Sequence, residues 1–323
     1  TDAEIITING IREAGENYFI DNEGKVYTWG NNISGQLGNG TNIDSNVPIC
    51  ISDISENVLN GKNIIEIQAE YSEMIAIDSE GKVYTWGENS GGQLGNGTNE
   101  ASNEPICISD IPGNALNGKN IVEIQNSYST IMAIDNEGKV YTWGRNGSGQ
   151  LGNGTNENSN VPICISDIEG NALNGKNIVE LQSSSTVIAI DSEGKVYTWG
   201  VNYSGQLGNG TYYDSNEPIC ISDIPGNVLN GKNIVEIQSG NTIIALDSEG
   251  KVYTWGVNGD GQLGNGTNEN SNVPICITDD KEVKLYNKKI KTVKKFRLGS
   301  QNHISYITQE GELYNYYFMI IES

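Results

Sequence analysis

Residues 233–277 read NIVEIQSGNTIIALDSEGKVYTWGVNGDGQLGNGTNENSNVPICI, the clearest of five similar copies in the chain. The tryptophans of these copies, Trp29, Trp86, Trp143, Trp199 and Trp255, follow one another in the numbering by steps of 57, 57, 56 and 56. A sixth, degenerate copy covers residues 291–318, where Gly311 keeps the turn glycine but Tyr316 replaces the tryptophan. A fixed period of this length predicts an array, a solenoid or a propeller.

Each copy contains four short segments with the composition of β-strands. They are typified by IVEIQ (234–238), TIIALD (242–247), KVYTWG (251–256) and VPICIS (161–166). DSEG or DNEG joins the second segment to the third and predicts a hairpin turn with glycine at positive φ. The fourth segment contains a proline, which a strand tolerates at the edge of a sheet, where its nitrogen need not donate a hydrogen bond. The prolines are Pro48, Pro105, Pro162, Pro218 and Pro274. Four antiparallel strands, repeated, predict a propeller blade with the fourth strand outermost.

The pattern DxEGxVYxWGxNxxGQLGxG resembles the repeat of the regulator of chromosome condensation family, whose fold is a β-propeller. The resemblance covers essentially the whole chain and implies one all-β domain over residues 1–323. We expect this domain to be built from about six repeats of 56–57 residues, the last one degenerate. Six repeats imply six blades, with seven as the alternative because the best-known members have seven repeats. The family usually places a histidine near the start of the second strand, which implies a structural role for His303. The other copies depart from this, with Glu73, Thr130, Thr186 and Thr242.

The GQLGNGT loop connects the third strand to the fourth, and we interpret it as structural. Its glycines allow turns that a Cβ would block. We expect Leu37 and its equivalents to pack between blades and the glutamine side chains to bond the loop backbone. Phosphate binding is the alternative, but no Lys-Ser/Thr ending or following helix supports it.

The chain offers no recognisable catalytic constellation. It has a single His and no Cys-x-x-Cys or His-Glu-x-x-His motif. The repeated DSEG carboxylates lie on separate turns, too far apart for paired acid–base work. The five cysteines, Cys50, Cys107, Cys164, Cys220 and Cys276, lie on separate fourth strands and are expected to be free, buried thiols. A calcium site in GNGTNENSN is an alternative whose spacing matches no known loop. We therefore predict a protein that is not an enzyme and has no cofactor or metal.

Charge and hydropathy limit the classes of partner. The net charge of −22 argues against nucleic acid, since phosphate binding needs a basic face. No run of 18 apolar residues is present, so no membrane-spanning helix is predicted. Residues 281–297 carry eight of the nineteen Lys and Arg residues. We interpret them as a solvated strand pair, with an anionic surface, lipid or acidic partner as the alternative.

The near-identical copies differ mainly in the first and third connections, which a four-stranded meander places at the same end of each blade. The first reads AEYSEM, NSYSTI, SSSTV, SGNTI and AGENYF, and the third varies after Trp-Gly and before the fourth strand. This divergence predicts a binding face, with drift of exposed loops as the alternative. Loop tyrosines favour an interface because they add area at low entropic cost. The predicted partner-binding residues are Tyr71, Glu73, Tyr128, Arg145, Tyr203, Tyr212 and Tyr213.

The first functional hypothesis is a non-enzymatic module that binds a protein of unknown identity, as the β-lactamase-inhibitory propellers of the family do. A second is nucleotide exchange on a small GTPase, which the resemblance to the founding member implies. Repeats of so constant a length leave no room for that member's wedge-like insertion. A third is a surface protein that binds glycans through Asn, Tyr and Trp residues. We expect the repeat tryptophans to be covered by neighbouring blades, which leaves the loop tyrosines for such a site.

Each full copy contains an Asn-Gly-Thr sequon, at Asn39, Asn96, Asn153, Asn209 and Asn265. Glycans there would disrupt a packed loop, which argues against a eukaryotic secretory pathway. The Asn-, Ile- and Lys-rich composition is typical of AT-rich bacterial genomes. The missing initiator Met suggests a cleaved leader or an excised domain, whereas unpaired cysteines favour the cytoplasm. The localisation stays open, with a slight preference for a secreted or surface protein of a bacterium.

Overall fold

The structure, a computed structural model, describes residues 10–281, 283–298 and 301–319, with side chains left undescribed at 295–298, 301–303 and 315–319. Within these residues the fold consists of six antiparallel sheets, five with four strands and one with three. In every sheet the strands lie side by side in chain order. The prediction of an all-β fold made of antiparallel propeller blades is therefore confirmed. The role predicted for His303 falls on a side chain outside the described ones.

The contacts group the chain into two compact units, and the first unit comprises Thr1–Asn146 and Glu157–Cys164. It contains three sheets. The first is formed by β1 (Ile11–Ala14), β2 (Tyr18–Asp21), β3 (Val26–Gly30) and β4 (Ser45–Cys50). The second is formed by β5 (Ile64–Glu70), β6 (Glu73–Asp78), β7 (Val83–Gly87) and β8 (Ser102–Cys107). The third is formed by β9 (Ile121–Ser127), β10 (Thr130–Asp135), β11 (Val140–Gly144) and β12 (Ser159–Cys164).

The second unit comprises Gly147–Asn156 and Ile165–Ser323. Its first sheet is formed by β13 (Ile178–Ser183), β14 (Thr186–Asp191), β15 (Val196–Gly200) and β16 (Ser215–Cys220). The next is formed by β17 (Ile234–Gln238), β18 (Thr242–Asp247), β19 (Val252–Gly256) and β20 (Ser271–Cys276). The last is formed by β21 (Ile290–Leu298), β22 (Gln301–Thr308) and β23 (Leu313–Met319). That a single domain unites residues 1–323 stays a prediction.

The DSEG hairpin turn is held by its aspartate, as the sequence predicts. Asp78 Oδ1 accepts hydrogen bonds from the backbone N–H groups of Glu80 (2.9 Å) and Lys82 (3.0 Å). Its other oxygen accepts the hydroxyl of Tyr84 at 2.8 Å. Gly81 adopts a φ of 76°, which glycine allows without strain. The aspartate carboxylates therefore stabilise the hairpin turns.

The fourth strand lies at an edge of its sheet, which explains how it accommodates proline. Its predicted bounds are displaced by two residues, because β12 covers Ser159–Cys164 where the sequence suggested 161–166. The strand begins earlier because Ser159 pairs with Gly144 beyond a bulge formed by extra residues in β12. It ends earlier because the following Ile-Ser-Asp forms a single 3₁₀ turn. Such turns occur at Ile51–Asp53, Ile108–Asp110, Ile165–Asp167 and Ile221–Asp223.

None of the five cysteines forms a disulfide, as predicted, but each is half-buried and not fully buried. The reason is their place at the last residue of an edge strand, which is covered on one side only. Burial raises the pKa of the Cys107 thiol to about 11. A thiol with so high a pKa carries little thiolate near neutrality and is a weak nucleophile.

The GQLGNGT loop fills the space in front of the next tryptophan. Leu94 is fully buried, and its N–H donates to Asn89 Oδ1 at 2.9 Å. The Gln93 side chain accepts the N–H of Gly91 at 2.8 Å, while its backbone carbonyl accepts the indole N–H of Trp143 at 2.9 Å. The predicted bond of the glutamine side chain to the loop backbone is thus observed, the leucine is buried, and the loop is bonded to the tryptophan of the next copy.

The second glycine of the loop offers a test of this packing. A Cβ built on Gly208, whose φ is 66°, would lie 2.8 Å from the indole nitrogen of Trp255. We expect Gly208→Ala to destabilise the fold by about 2–4 kcal/mol, since strain and overpacking add. The control is Gly231→Ala, because Gly231 has a similar φ of 71° and nothing within 4 Å of its Cβ position. Equal shifts in urea midpoint for the two variants would contradict the packing argument.

Candidate functional site

Four of the predicted partner-binding residues lie around one cavity of about 460 Å³ in the first unit. Its wall is formed by Ser34, Tyr71, Ser72, Glu73, Glu88, Tyr128, Ser129 and Arg145. All of these residues belong to first or third connections or to the start of β6. The two kinds of variable connection thus meet at the same end of the sheets, as the sequence predicts.

Tyr71 and Tyr128 occupy equivalent turns between the first two strands of successive sheets. Their side chains are 78% and 53% exposed. Both residues have a φ of 52°, and Ser129 follows with a φ of 60°. Non-glycine residues in this left-handed region carry strain, which tends to persist at sites where function requires the conformation.

Glu73 lies on the wall of the cavity with only 3% of its surface exposed. Its Oε1 accepts the hydroxyl of Ser129 at 2.9 Å. Its Oε2 is buried and has no hydrogen-bond partner. Burial, with a smaller contribution from the charge of Glu70, raises the pKa of Glu73 to about 7. The residue that departs from the family histidine in the second copy is therefore a buried carboxyl group whose pKa is raised by burial.

The same strand position shows what Glu73 replaces. In the next three copies the residue is a threonine whose hydroxyl donates to the carbonyl fifteen positions later. Thr130 bonds Arg145 at 2.8 Å, Thr186 bonds Val201 at 2.6 Å and Thr242 bonds Val257 at 2.7 Å. Glu73 gives up this bond for a carboxylate with one unpaired oxygen. The second copy therefore exchanges a satisfied polar group for an unsatisfied one, at a cost in stability.

Further carboxylates surround Glu73. Glu70 pairs directly with it across β5 and β6, and burial raises the pKa of Glu70 as well. Hydrogen bonds from Ser90 lower the pKa of Glu88, and its Oε1 accepts the Ser90 N–H at 3.0 Å. Arg145 is an exposed cation on the same wall. Glu73 and its surroundings thus contain three carboxyl groups and one cationic side chain.

Sequence comparison did not select Glu70 or Ser129 for this site. Glu70 lies in the variable first connection AEYSEM, where the next three copies have Ser127, Ser183 and Ser239, and this substitution could have drawn attention. Ser129 could be identified only from the structure, because its importance comes from its left-handed backbone and its bond to Glu73.

The three remaining predicted residues lie in the second unit, within the single connection 201–214. Tyr203 is 66% exposed, Tyr212 is 50% exposed and Tyr213 is 82% exposed. The carbonyl of Tyr213 accepts the side-chain amide of Asn202 at 3.0 Å, which fixes the backbone and leaves the ring free. These tyrosines are available for contact, but they do not line the cavity around Glu73.

A second cavity of about 540 Å³ lies beside the first, and Tyr71 and Ser72 line both. Trp29 forms part of its wall. The other four repeat tryptophans have no exposed surface, as predicted, but Trp29 is only half-buried. The sequence expectation that every repeat tryptophan is covered is thus wrong for the first copy.

Among the residues that the structure describes, no group of three or more His, Cys, Asp or Glu side chains could hold a metal ion. No helix in the described part of the chain is long and apolar enough to cross a membrane. In the basic segment, Lys288 forms an ion pair with Glu312 at 2.6 Å. Several other side chains of that segment lie outside the described ones.

Comparison with known proteins identifies a matching family and several relatives. Residues 25–316 match the profile of the family described as RCC1-like domain. The chain is 30% identical over 259 residues to the human E3 ubiquitin-protein ligase HERC2, and 31% identical over 292 residues to the Ultraviolet-B receptor UVR8 of Arabidopsis thaliana. These alignments cover 79% and 90% of this chain. The chain spans only 5% of HERC2 and 60% of UVR8.

Solved structures show the same fold. Human WBSCR16 superposes with a TM-score of 0.62 at 21% identity, covering 85% of this chain and 66% of its own. Prp20p from Saccharomyces cerevisiae, described with its binding properties to Gsp1p and histones, superposes with a TM-score of 0.62 at 21% identity. That match covers 93% of this chain and 69% of Prp20p.

Proposed function

The chain belongs to the RCC1-like domain family, and on that premise we propose that it is a non-enzymatic propeller that binds a protein through its variable connections. The observation that carries the proposal is the convergence of Tyr71, Tyr128 and Arg145 on one cavity of the first unit. Tyr and Arg are among the side chains most enriched in residues that dominate interface energies. We propose that the tyrosines of connection 201–214 belong to the same binding function.

The rest of the repeat supports this assignment because its recurring polar groups already have internal partners. The turn aspartates bond tyrosines and backbone amides, and the loop asparagines bond loop carbonyls. Burial raises the pKa of the thiols of Cys50, Cys107, Cys220 and Cys276. The polar groups that recur in each repeat thus stabilise the fold, whereas the residues that vary between repeats are concentrated in the connections.

Photo-crosslinking from single positions tests the proposal while the partner is still unidentified. p-Benzoylphenylalanine would replace Tyr71 in one variant, Tyr128 in a second and Val58 in a control. Val58 is 43% exposed and lies in the link between the first two sheets. We expect positions 71 and 128 to capture the same protein from cells and position 58 to capture none of it. Different proteins at 71 and 128, or equal capture at 58, would contradict the proposal.

Nucleotide exchange on a small GTPase is the alternative, and release of labelled GDP from a panel of GTPases tests it. The fold shared with Prp20p prompts the assay, but no residue of the described cavity favours that reaction. Glycan binding is a further alternative, and half-buried Trp29 is the aromatic side chain that it would use. The bacterial source and the surface location stay predictions from composition.

A further inference from the structure

We propose that the cavity around Glu73 receives a lysine or arginine side chain of the bound protein. This inference rests on the proposed function and specifies the chemistry by which the partner is recognised. Three features support it: the unpaired oxygen of Glu73, the charges that surround it and the two tyrosines at the entrance.

The unpaired oxygen of Glu73 calls for a hydrogen-bond donor. A buried carboxylate oxygen without a partner is costly, and such atoms are rare in folded proteins. Oε1 accepts the hydroxyl of Ser129, whereas Oε2 makes no hydrogen bond at ordinary distance; the side chain of Asn126, which is also unpaired, is near enough to lower the pKa of Glu73. Lysine presents three donors and arginine five, each on a positive charge, so either side chain would satisfy Oε2 with a charge-assisted bond.

The charges facing Glu73 favour a cation over an anion or a neutral group. Glu70 faces it from β5, and Glu88 lies on the cavity wall. Arg145, from the third connection of the next copy, is the cation on that wall. At pH 8, where Glu73 is mostly ionised and Glu88 carries its charge, these two carboxylates of the cavity wall outnumber the single guanidinium group, so an entering cation gains attraction.

Tyr71 and Tyr128 complete the pocket. Both line the cavity, and both project largely into solvent. Aromatic rings attract ammonium and guanidinium groups and cover the aliphatic part of these long side chains. The volume of about 460 Å³ accommodates either side chain with room for the backbone that carries it.

Binding of a cation should depend on pH near neutrality. A positive charge on the partner favours the ionised form of Glu73, whose pKa in the folded, unbound chain is about 7. Its ionised fraction rises about tenfold between pH 6 and pH 8, so affinity should rise by up to about tenfold over that range. Burial raises the pKa of Glu70 as well, so its charge changes in the same direction.

A random twelve-residue peptide library, displayed on phage and selected on the wild-type chain at pH 8, supplies the probe. We expect the selected peptides to share a lysine or arginine whose replacement by glutamine weakens binding at least tenfold. We expect Glu73→Thr to weaken binding of the same peptides at least tenfold. Glu73→Gln should abolish the pH dependence while keeping the size of the side chain.

Glu73→Thr is a demanding control, because it restores the residue of three neighbouring copies and changes the net charge of −22 by only one. Basic peptides that bind wild type and Glu73→Thr equally would be held by overall charge, and the inference would be overturned. Peptides that need Tyr71 and Tyr128 but no basic residue would overturn it too, while the proposed function stands. Peptides indifferent to both tyrosines and to Glu73, or no selected peptide at all, would count against both.

Discussion

Trp255→Ala is expected to lower the free energy of unfolding by about 4 kcal/mol or more. The side chain has no exposed surface and packs among Ile188, Leu229 and Ile243. Its indole N–H donates to the carbonyl of Gln206 at 2.8 Å. Truncation removes a large apolar contact and leaves a cavity, which costs about 3–5 kcal/mol for a buried aromatic residue. It also leaves a buried carbonyl without a donor.

Two variants separate these contributions. The free energy of unfolding is measured by urea denaturation, monitored by circular dichroism. Trp255→Phe keeps a ring but loses the N–H, and we expect it to cost about 1–3 kcal/mol. Trp29→Ala alters the same repeat position where the side chain is only half-buried, so we expect a smaller loss than for Trp255→Ala. Equal losses at Trp29 and Trp255 would show that burial of the repeat tryptophan contributes little.

Glu73→Thr is expected to stabilise the chain, and the gain should grow with pH. Folding raises the pKa of Glu73 from 4.5 to about 7, so the folded chain resists its ionisation. The resulting penalty is absent below about pH 4.5, builds up through pH 7 and is complete above it, at on the order of 3 kcal/mol. Threonine has no such penalty, and its hydroxyl can donate to the carbonyl of Glu88, as Thr130 does to Arg145.

The measurement is the difference in unfolding free energy between Glu73→Thr and wild type at pH 5 and pH 8. We expect this difference to increase by about 2–3 kcal/mol from the lower pH to the higher. Glu80→Thr is the matched control, because Glu80 is exposed in the adjacent hairpin turn, and it should show no comparable increase. A constant difference for Glu73→Thr would mean that the carboxyl group is not penalised by burial.

Much of the fold could be predicted from the sequence because each repeat encodes it locally. The Asp-x-Glu-Gly turn and the strand composition predict the hairpin, and proline places the fourth strand at an edge. The constant repeat period predicts the number of sheets. The strand bounds at Ser159–Cys164 were displaced because bulge pairing with Gly144 and a 3₁₀ turn depend on backbone geometry.

The candidate site could be predicted only in part. Comparison of copies identified Tyr71, Tyr128 and Arg145 because variable positions stand out against an almost constant repeat. It also marked Glu73, but not its burial or its unpaired oxygen. Those properties depend on packing against Ser129, which has a left-handed backbone and is distant in the chain, so no local pattern reveals them.

Titration calorimetry with the protein captured from positions 71 and 128 tests the central claim most directly. The chain would be titrated as wild type, as the double variant Tyr71→Ala/Tyr128→Ala and as Val58→Ala. The account predicts that the double variant raises the dissociation constant at least tenfold and that Val58→Ala leaves it within twofold of wild type. A double variant that binds within twofold of wild type would contradict the claim that these connections form the binding face.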